Sequence, residues 1–264
     1  MNNMNLKNNI ICDVGILTSD SDTISPVCVE ETLRHLHGTS IRATTIDASS
    51  LSEDVLANFD VIFITGGEPR RIRKCIGGKG ASAIRKFIAD GGGYVGVCAG
   101  AVLATQKAPT LDLLPFVRCI DDNIWWASGI EGDVILKRPP KSHCSPIDKN
   151  LSLAFVPNKR GTIHAYHNGP LLRIKNGKNK SNKHSNDTKP IALFYGDVNP
   201  WKPDKSVTKQ PQRGQMDGTI ATVSGTYKNG RVVITSIHPE FLDDNTLLET
   251  MCLYASQISL STIL

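Results

Sequence analysis

The stretch "GVCAG", residues 96–100, sets a cysteine midway between two glycines. A thiol attacks carbon as its thiolate. A G-x-C-x-G pentapeptide is the form of a nucleophile on a sharp strand-to-helix turn, where the neighbouring positions must lack bulky side chains. A helix beginning just after Cys98 would bring its N-terminal partial positive charge to the sulfur and favour the thiolate. Such a nucleophile needs a base. "SIHPEF", residues 236–241, supplies His238 and Glu240 two positions apart at the end of a strand-like run. In extended backbone, positions i and i+2 share a face, and Pro239 biases His238 towards extension. The spacing predicts that Glu240 holds one tautomer of the imidazole while the other ring nitrogen faces Cys98. Attack by sulfur on a carbonyl carbon leaves negative charge on oxygen, which pre-aimed backbone N–H groups stabilise. Ala99, the residue after the nucleophile, is one expected donor. Gly67, in "TGGEP" (65–69), is the second.

Around this core stand the expected substrate contacts: Gly66, Glu68, and Tyr166, His167 and Asn168 of "AYHNGP" (165–170). Asn-Gly-Pro is also a natural chain breaker, so those residues read equally as turn chemistry. His164, alternating with Tyr166, reads as packing. The pair "WW" at 125–126 reads as a core or lid element. Cys12, Cys28, Cys75, Cys119, Cys144 and Cys252 lack the elbow context and read as structural thiols.

The elements that must position these groups alternate in the first half of the chain. Residues 9–18, 40–49, 61–69 and 94–98 read as strands; 25–38, 78–93 and 99–106 read as helices. That alternation predicts a parallel sheet covered on both faces. In the second half, 131–137, 151–157, 162–167, 190–198, 218–227 and 230–239 read mostly as strands, so antiparallel additions are expected late in the chain. "YKNGR" (227–231) reads as a hairpin turn, with Asn-Gly supplying positive φ. Residues 245–258 read as a closing helix with Asn245 as its N-cap. A single domain over 1–264 is expected, with residues 1–8 a flexible N-terminus.

The chain has 264 residues and a net charge of +5. Residues 173–189 carry all of that excess, in a polar run nearly free of apolar residues after Ile174. This composition predicts a disordered basic insertion, 175–189, rather than a nucleic-acid arm, because no aromatic residues interleave the charges. No apolar run approaches the ~20 residues of a membrane span, and the Asn-rich start lacks the apolar core of a secretory signal. Seven cysteines with no CxxC pair are expected to be reduced cytoplasmic thiols rather than a disulfide frame or zinc site. The expected ligand is a small-molecule or peptide-like amide, with no metal or organic cofactor, no nucleic acid and no membrane partner.

A strand ending in Gly-Gly, then G-x-C-x-G at an elbow, then H-x-E late in the chain resembles the class I glutamine amidotransferase-like superfamily. "GGGYVGVCAGA", "HNGP" (167–170) and "SIHPE" most resemble the amidotransferase-like domain at the N-terminus of biotin-protein ligases, which also occurs alone. The resemblance runs over about residues 9–258. It implies a flavodoxin-like, three-layer α/β sandwich and a Cys98–His238–Glu240 triad. It does not imply a substrate. Glutaminases of the superfamily carry bulkier residues after the nucleophile than "AGA", which counts against glutamine as the substrate. No GRGRxxxxxW-type biotin and ATP loop occurs, so ligase chemistry is not expected from these residues. Two functions follow: a cysteine hydrolase working through a thioester, or a non-catalytic binding or regulatory module linked to biotin-protein ligase.

Overall fold

The computed structural model describes residues 12–106, 110–120, 131–140, 146–175, 187–200 and 214–257. The expectations for the N-terminus, for "WW" at 125–126, for Cys144 and for most of the basic insertion lie outside these residues.

The chain alternates as its first half predicts. Strand β1 (Cys12–Thr18) leads to helix α1 (Pro26–Leu36), β2 (Ile41–Asp47), α2 (Glu53–Leu56), β3 (Val61–Ile64), α3 (Pro69–Ala89), β4 (Gly93–Val97) and α4 (Ala99–Ala104). Then come β5 (Val117–Cys119), β6 (Glu131–Lys137), α5 (Pro146–Phe155), β7 (Thr162–His167), β8 (Leu172–Ile174), β9 (Lys189–Pro200), β10 (Ile220–Tyr227), β11 (Gly230–Thr235) and α6 (Thr246–Ala255). All strands join one sheet, whose main path is β2-β1-β3-β4-β11-β10-β9-β6-β7. From β2 to β11 every pairing is parallel; from β11 onward every pairing is antiparallel. This is the flavodoxin-like order with antiparallel strands added beyond β11. The reversal of strand order beside β1 sends α1 and α3 to opposite faces, because parallel crossovers are right-handed. α6 packs on α1 and α5, while α3 packs on α2 and α4. Strands buried on both sides are apolar throughout, as in β3, where Val61, Ile62, Phe63 and Ile64 are all fully buried.

Four local readings differ from the sequence expectation. Of residues 151–157, read as a strand, 151–155 form the last turns of α5 and 156–157 lie past its end; Leu151 and Phe155, one turn apart, both face the core, and a short apolar run carries no period that separates the two states. Helix α3 begins at Pro69 and not at Gly78. Gly77, at φ 65°, breaks it internally, and Ile72 and Ile76 bury the first segment's apolar side. In the β10–β11 hairpin, Tyr227 pairs with Gly230, so Lys228 and Asn229 form the loop and Lys228 takes the positive φ of 54°. Gly230 is needed for close approach instead: a Cβ there would stand 2.2 Å from the Gly92 carbonyl oxygen. Asn245 occupies the N-cap position of α6 without capping it; its Oδ1 lies 2.5 Å from His35 Nδ1, and Asp244 accepts from the Thr246 N–H.

Candidate active site

The elbow forms where the sequence places it. Cys98 follows β4 directly and serves as the N-cap of α4, with φ 52° and ψ −104°. An L-residue reaches that region only under constraint from its surroundings. Two close approaches supply the constraint. A Cβ at Gly96 would meet the Gly100 carbonyl at 2.6 Å, and one at Gly100 would meet the Ile64 oxygen at 2.1 Å. The Cys98 N–H bonds the Thr235 carbonyl and the Gly100 N–H bonds Thr65, so neighbours on both sides pin the turn.

His238 arrives from the next strand over. Val97 pairs with Thr235, so β4 and β11 end side by side and their continuations meet. The route differs from the expected extended chain. β11 ends at Thr235, and Pro239–Phe241 form one 3-10 turn with His238 at its head. Within this turn, and not along a strand, Glu240 Oε1 comes to 2.7 Å from His238 Nδ1. Both residues are buried. β7 and the "HNGP" loop after it fix the backbone here: the His238 N–H donates to the Ala165 carbonyl, and the Ser236 hydroxyl donates to that of Pro170. Gly169 packs so closely on Ser236 that a Cβ would stand 1.9 Å from its oxygen. The His238 ring stacks on Phe241, with centroids 5.6 Å apart, and meets His167 edge-on at 5.1 Å. Burial opposes a charge on His238, but the Glu240 carboxylate, with help from Cys98 and Cys28, outweighs it and raises the imidazole well above its usual pKa.

Cys98 and His238 line one cleft of about 470 Å3, together with Gly66, Gly67, Ala99 and Asn168. The Cys98 thiol donates to the His167 carbonyl oxygen at 3.7 Å. His238 Nε2 is buried and has no hydrogen-bond partner among the described residues. The Ala99 N–H, at the first position of α4, and the Gly67 N–H bond no carbonyl among the described residues. Both residues line the cleft. A second hollow, about 530 Å3, lies by Gly91 and Gly92 at the opposite ends of the strands and holds none of these groups.

His167 lines the cleft from β7, with Nδ1 3.3 Å from Glu131 Oε1. Burial and the nearby His238 lower its pKa. Two expected contacts lie elsewhere. Tyr166 is fully buried, bonds the Gly169 carbonyl at 2.6 Å and packs edge-on against Phe194. It braces the loop from behind, because alternation along β7 turns it away from His167. Glu68 caps α3, accepting from the Arg70 and Arg71 N–H groups, and does not line the cleft. An acid just before Pro69 is the usual helix-start pattern. His164 is core, as expected, with Nε2 2.7 Å from the Phe155 carbonyl.

Cys28, Cys119 and Glu131 also line the cleft, and sequence reasoning passed over them. Cys28 lies in the first turn of α1, and its Sγ is 3.9 Å from His238 Nδ1. The available signal was topological: α1 leaves the carboxyl end of β1, and ligands of open α/β sheets gather at those ends.

Residues 14–109 match the family model described as "Biotin-protein ligase, N terminal". No curated protein matches the sequence. Among solved structures, a glutamine amidotransferase is similar at 17% identity and a TM-score of 0.56, covering 93% of this chain and 99% of that one. A cytoplasmic protein from Salmonella typhimurium LT2 is similar at 13% identity and a TM-score of 0.52, covering 94% and 99%. A catalytic mutant of a beta-galactosidase from G. stearothermophilus is similar at 10% identity and a TM-score of 0.50, covering 92% of this chain and 29% of that one. At these identities the likeness is one of fold: the chain has the amidotransferase-like fold.

Proposed function

We propose that this chain, with its amidotransferase-like fold and its biotin-protein ligase N-terminal match over 14–109, is a cysteine hydrolase acting on an amide or related carbonyl. Cys98 attacks the carbonyl carbon. His238 takes the thiol proton and passes it to the leaving amine, and Glu240 orients the ring. The Ala99 and Gly67 N–H groups hold the oxyanion, with Gly66 and Asn168 beside the bound substrate. The resulting thioester is hydrolysed by water, which returns the thiol and releases the acid. The reaction as written needs no metal or organic cofactor. The observation that carries the reading is the strained backbone of Cys98, φ 52°, in one cleft with a buried His238–Glu240 pair. A fold gains no stability from straining a cysteine, so the strain belongs to the chemistry.

Thiol labelling tests this. At neutral pH, iodoacetamide should modify Cys98 faster than the other cysteines, and His238→Ala should remove the advantage. An acyl adduct on Cys98, seen by intact mass with glutamine or biotin-related amides, would identify the substrate class. Equal labelling of all cysteines, unaffected by His238→Ala, would sink the enzyme. The family match favours the second reading in that event, a binding or regulatory module that keeps the cleft without turnover and acts with biotin-protein ligase.

A further inference from the structure

Orienting an imidazole accounts for half of the Glu240 carboxylate. Oε1 meets His238 Nδ1, but Oε2 is buried with no hydrogen-bond partner among the described residues. A carboxylate oxygen enclosed without a donor is costly and calls for a ligand. Cys28 supplies the company such a ligand would keep. Its Sγ, the Nδ1 of His238 and a Glu240 oxygen all lie within 4.8 Å of one another, and all three residues are buried. Thiolate, imidazole and carboxylate together make the donor set of zinc. In a tetrahedral zinc site such atoms stand roughly 3.3–3.5 Å apart, from bond lengths of about 2.0–2.3 Å. The sulfur-to-nitrogen distance of 3.9 Å and the oxygen-to-nitrogen distance of 2.7 Å bracket that spacing, so small side-chain shifts reach it. Gly66 keeps the space open: a Cβ there would stand 3.1 Å from both Cys28 Sγ and His238 Cε1.

We propose that Cys28 Sγ, His238 Nδ1 and the Glu240 carboxylate form a binding site for a thiophilic divalent cation, zinc by its chemistry. Binding forms metal–sulfur, metal–nitrogen and metal–oxygen bonds. The Cys28 thiol proton is released to solvent, and the Nδ1 proton of His238 moves to Nε2 in a neutral ring or leaves to solvent from a doubly protonated one, so the ring keeps one proton, on Nε2. Metal and the Nδ1–H···Glu240 hydrogen bond exclude each other, because both use the same nitrogen. A metal-bound ring with its proton on Nε2 can donate to Cys98 and cannot accept from it. The cation would therefore silence the base. This consequence rests on the hydrolase reading; the site itself does not.

Cobalt(II) is the probe, because a thiolate ligand gives it a charge-transfer band. The whole chain, kept reduced and stripped with a chelator, should bind one Co2+ with that band, and Zn2+ should displace it. Cys28→Ser should lose the band and weaken binding by at least about a hundredfold, the upper end of what even outer-shell changes cost. Cys28→Ala serves if the hydroxyl is not tolerated in the buried position. Cys98→Ser and Cys119→Ser, in the same cleft, should keep both band and affinity. No thiolate band in the wild type, a band surviving loss of Cys28, or a band lost with Cys98 or Cys119 would each overturn the site. Alkylation of Cys98 on the metal-free protein reports on the hydrolase separately, so the two ideas can fail independently.

Discussion

Replacing Cys98 by alanine and by glycine should give two inactive proteins of unequal stability, in the unusual order. Alanine keeps the Cβ that makes φ 52°, ψ −104° unfavourable; glycine removes it. A side chain held in a sparsely populated backbone region costs about 1–3 kcal/mol. At an ordinary position, glycine is less stable than alanine by about 0.5–1 kcal/mol, because the unfolded chain gains freedom. Taking the middle of each range, Cys98→Gly should exceed Cys98→Ala in stability by about 1 kcal/mol, or roughly 2–4 °C in Tm for a chain of this size. Urea and thermal unfolding of the two variants, in one buffer, measure the difference. Neither variant has the Cys98 thiol, so its chemistry does not enter. If alanine is the more stable by the ordinary margin, the elbow stores no strain, and the observation that carries the hydrolase reading goes with it.

Glu68→Ala should lower stability by about 1 kcal/mol through loss of the α3 cap and leave the Cys98 alkylation rate within about twofold of wild type. A tenfold drop would return Glu68 to the site. His164 is mostly buried, and desolvation lowers its pKa to about 4, with the Phe155 carbonyl opposing. Its unfolded value is about 6.5, so its contribution is whole above that pH and is lost as acidification protonates the unfolded chain first. Between pH 7 and 5 the linked loss is about 2 kcal/mol. Unfolding free energies of wild type and His164→Gln at both pH values isolate it from other titrating groups. An identical pH slope in the two proteins would show that His164 protonates as freely when folded as when unfolded.

The parts of the site that lie within a few consecutive residues were readable in advance. The tight turn around Cys98 was legible in Gly96 and Gly100, and the closeness of His238 and Glu240 in their spacing, though the 3-10 turn that joins them was not. The alternating first half announced a parallel sheet. What escaped was decided at a distance or by ambiguous local pattern. Leu151 to Phe155 is apolar enough for either state, and only burial against the core makes it helix. Glu68 read as a substrate contact because its capping role depends on where α3 starts. Cys28 had no local mark; it meets His238 only because β1 and β11 lie in one sheet with their carboxyl ends together.

The pairing of Val97 with Thr235 bears on when Cys98 and His238 can meet. Cys98 and His238 are joined through β4 and β11, strands far apart in the chain, and such non-local pairing carries a large loop-closure cost. During synthesis the elbow segment emerges long before "SIHPEF" does, and domains assemble from the N-terminus as the chain appears. A truncated or unfinished chain therefore holds a cysteine without its histidine. In the proposed hydrolase, Cys98 and His238 can come together only once the last strand, β11, has been made and has taken its place beside β4.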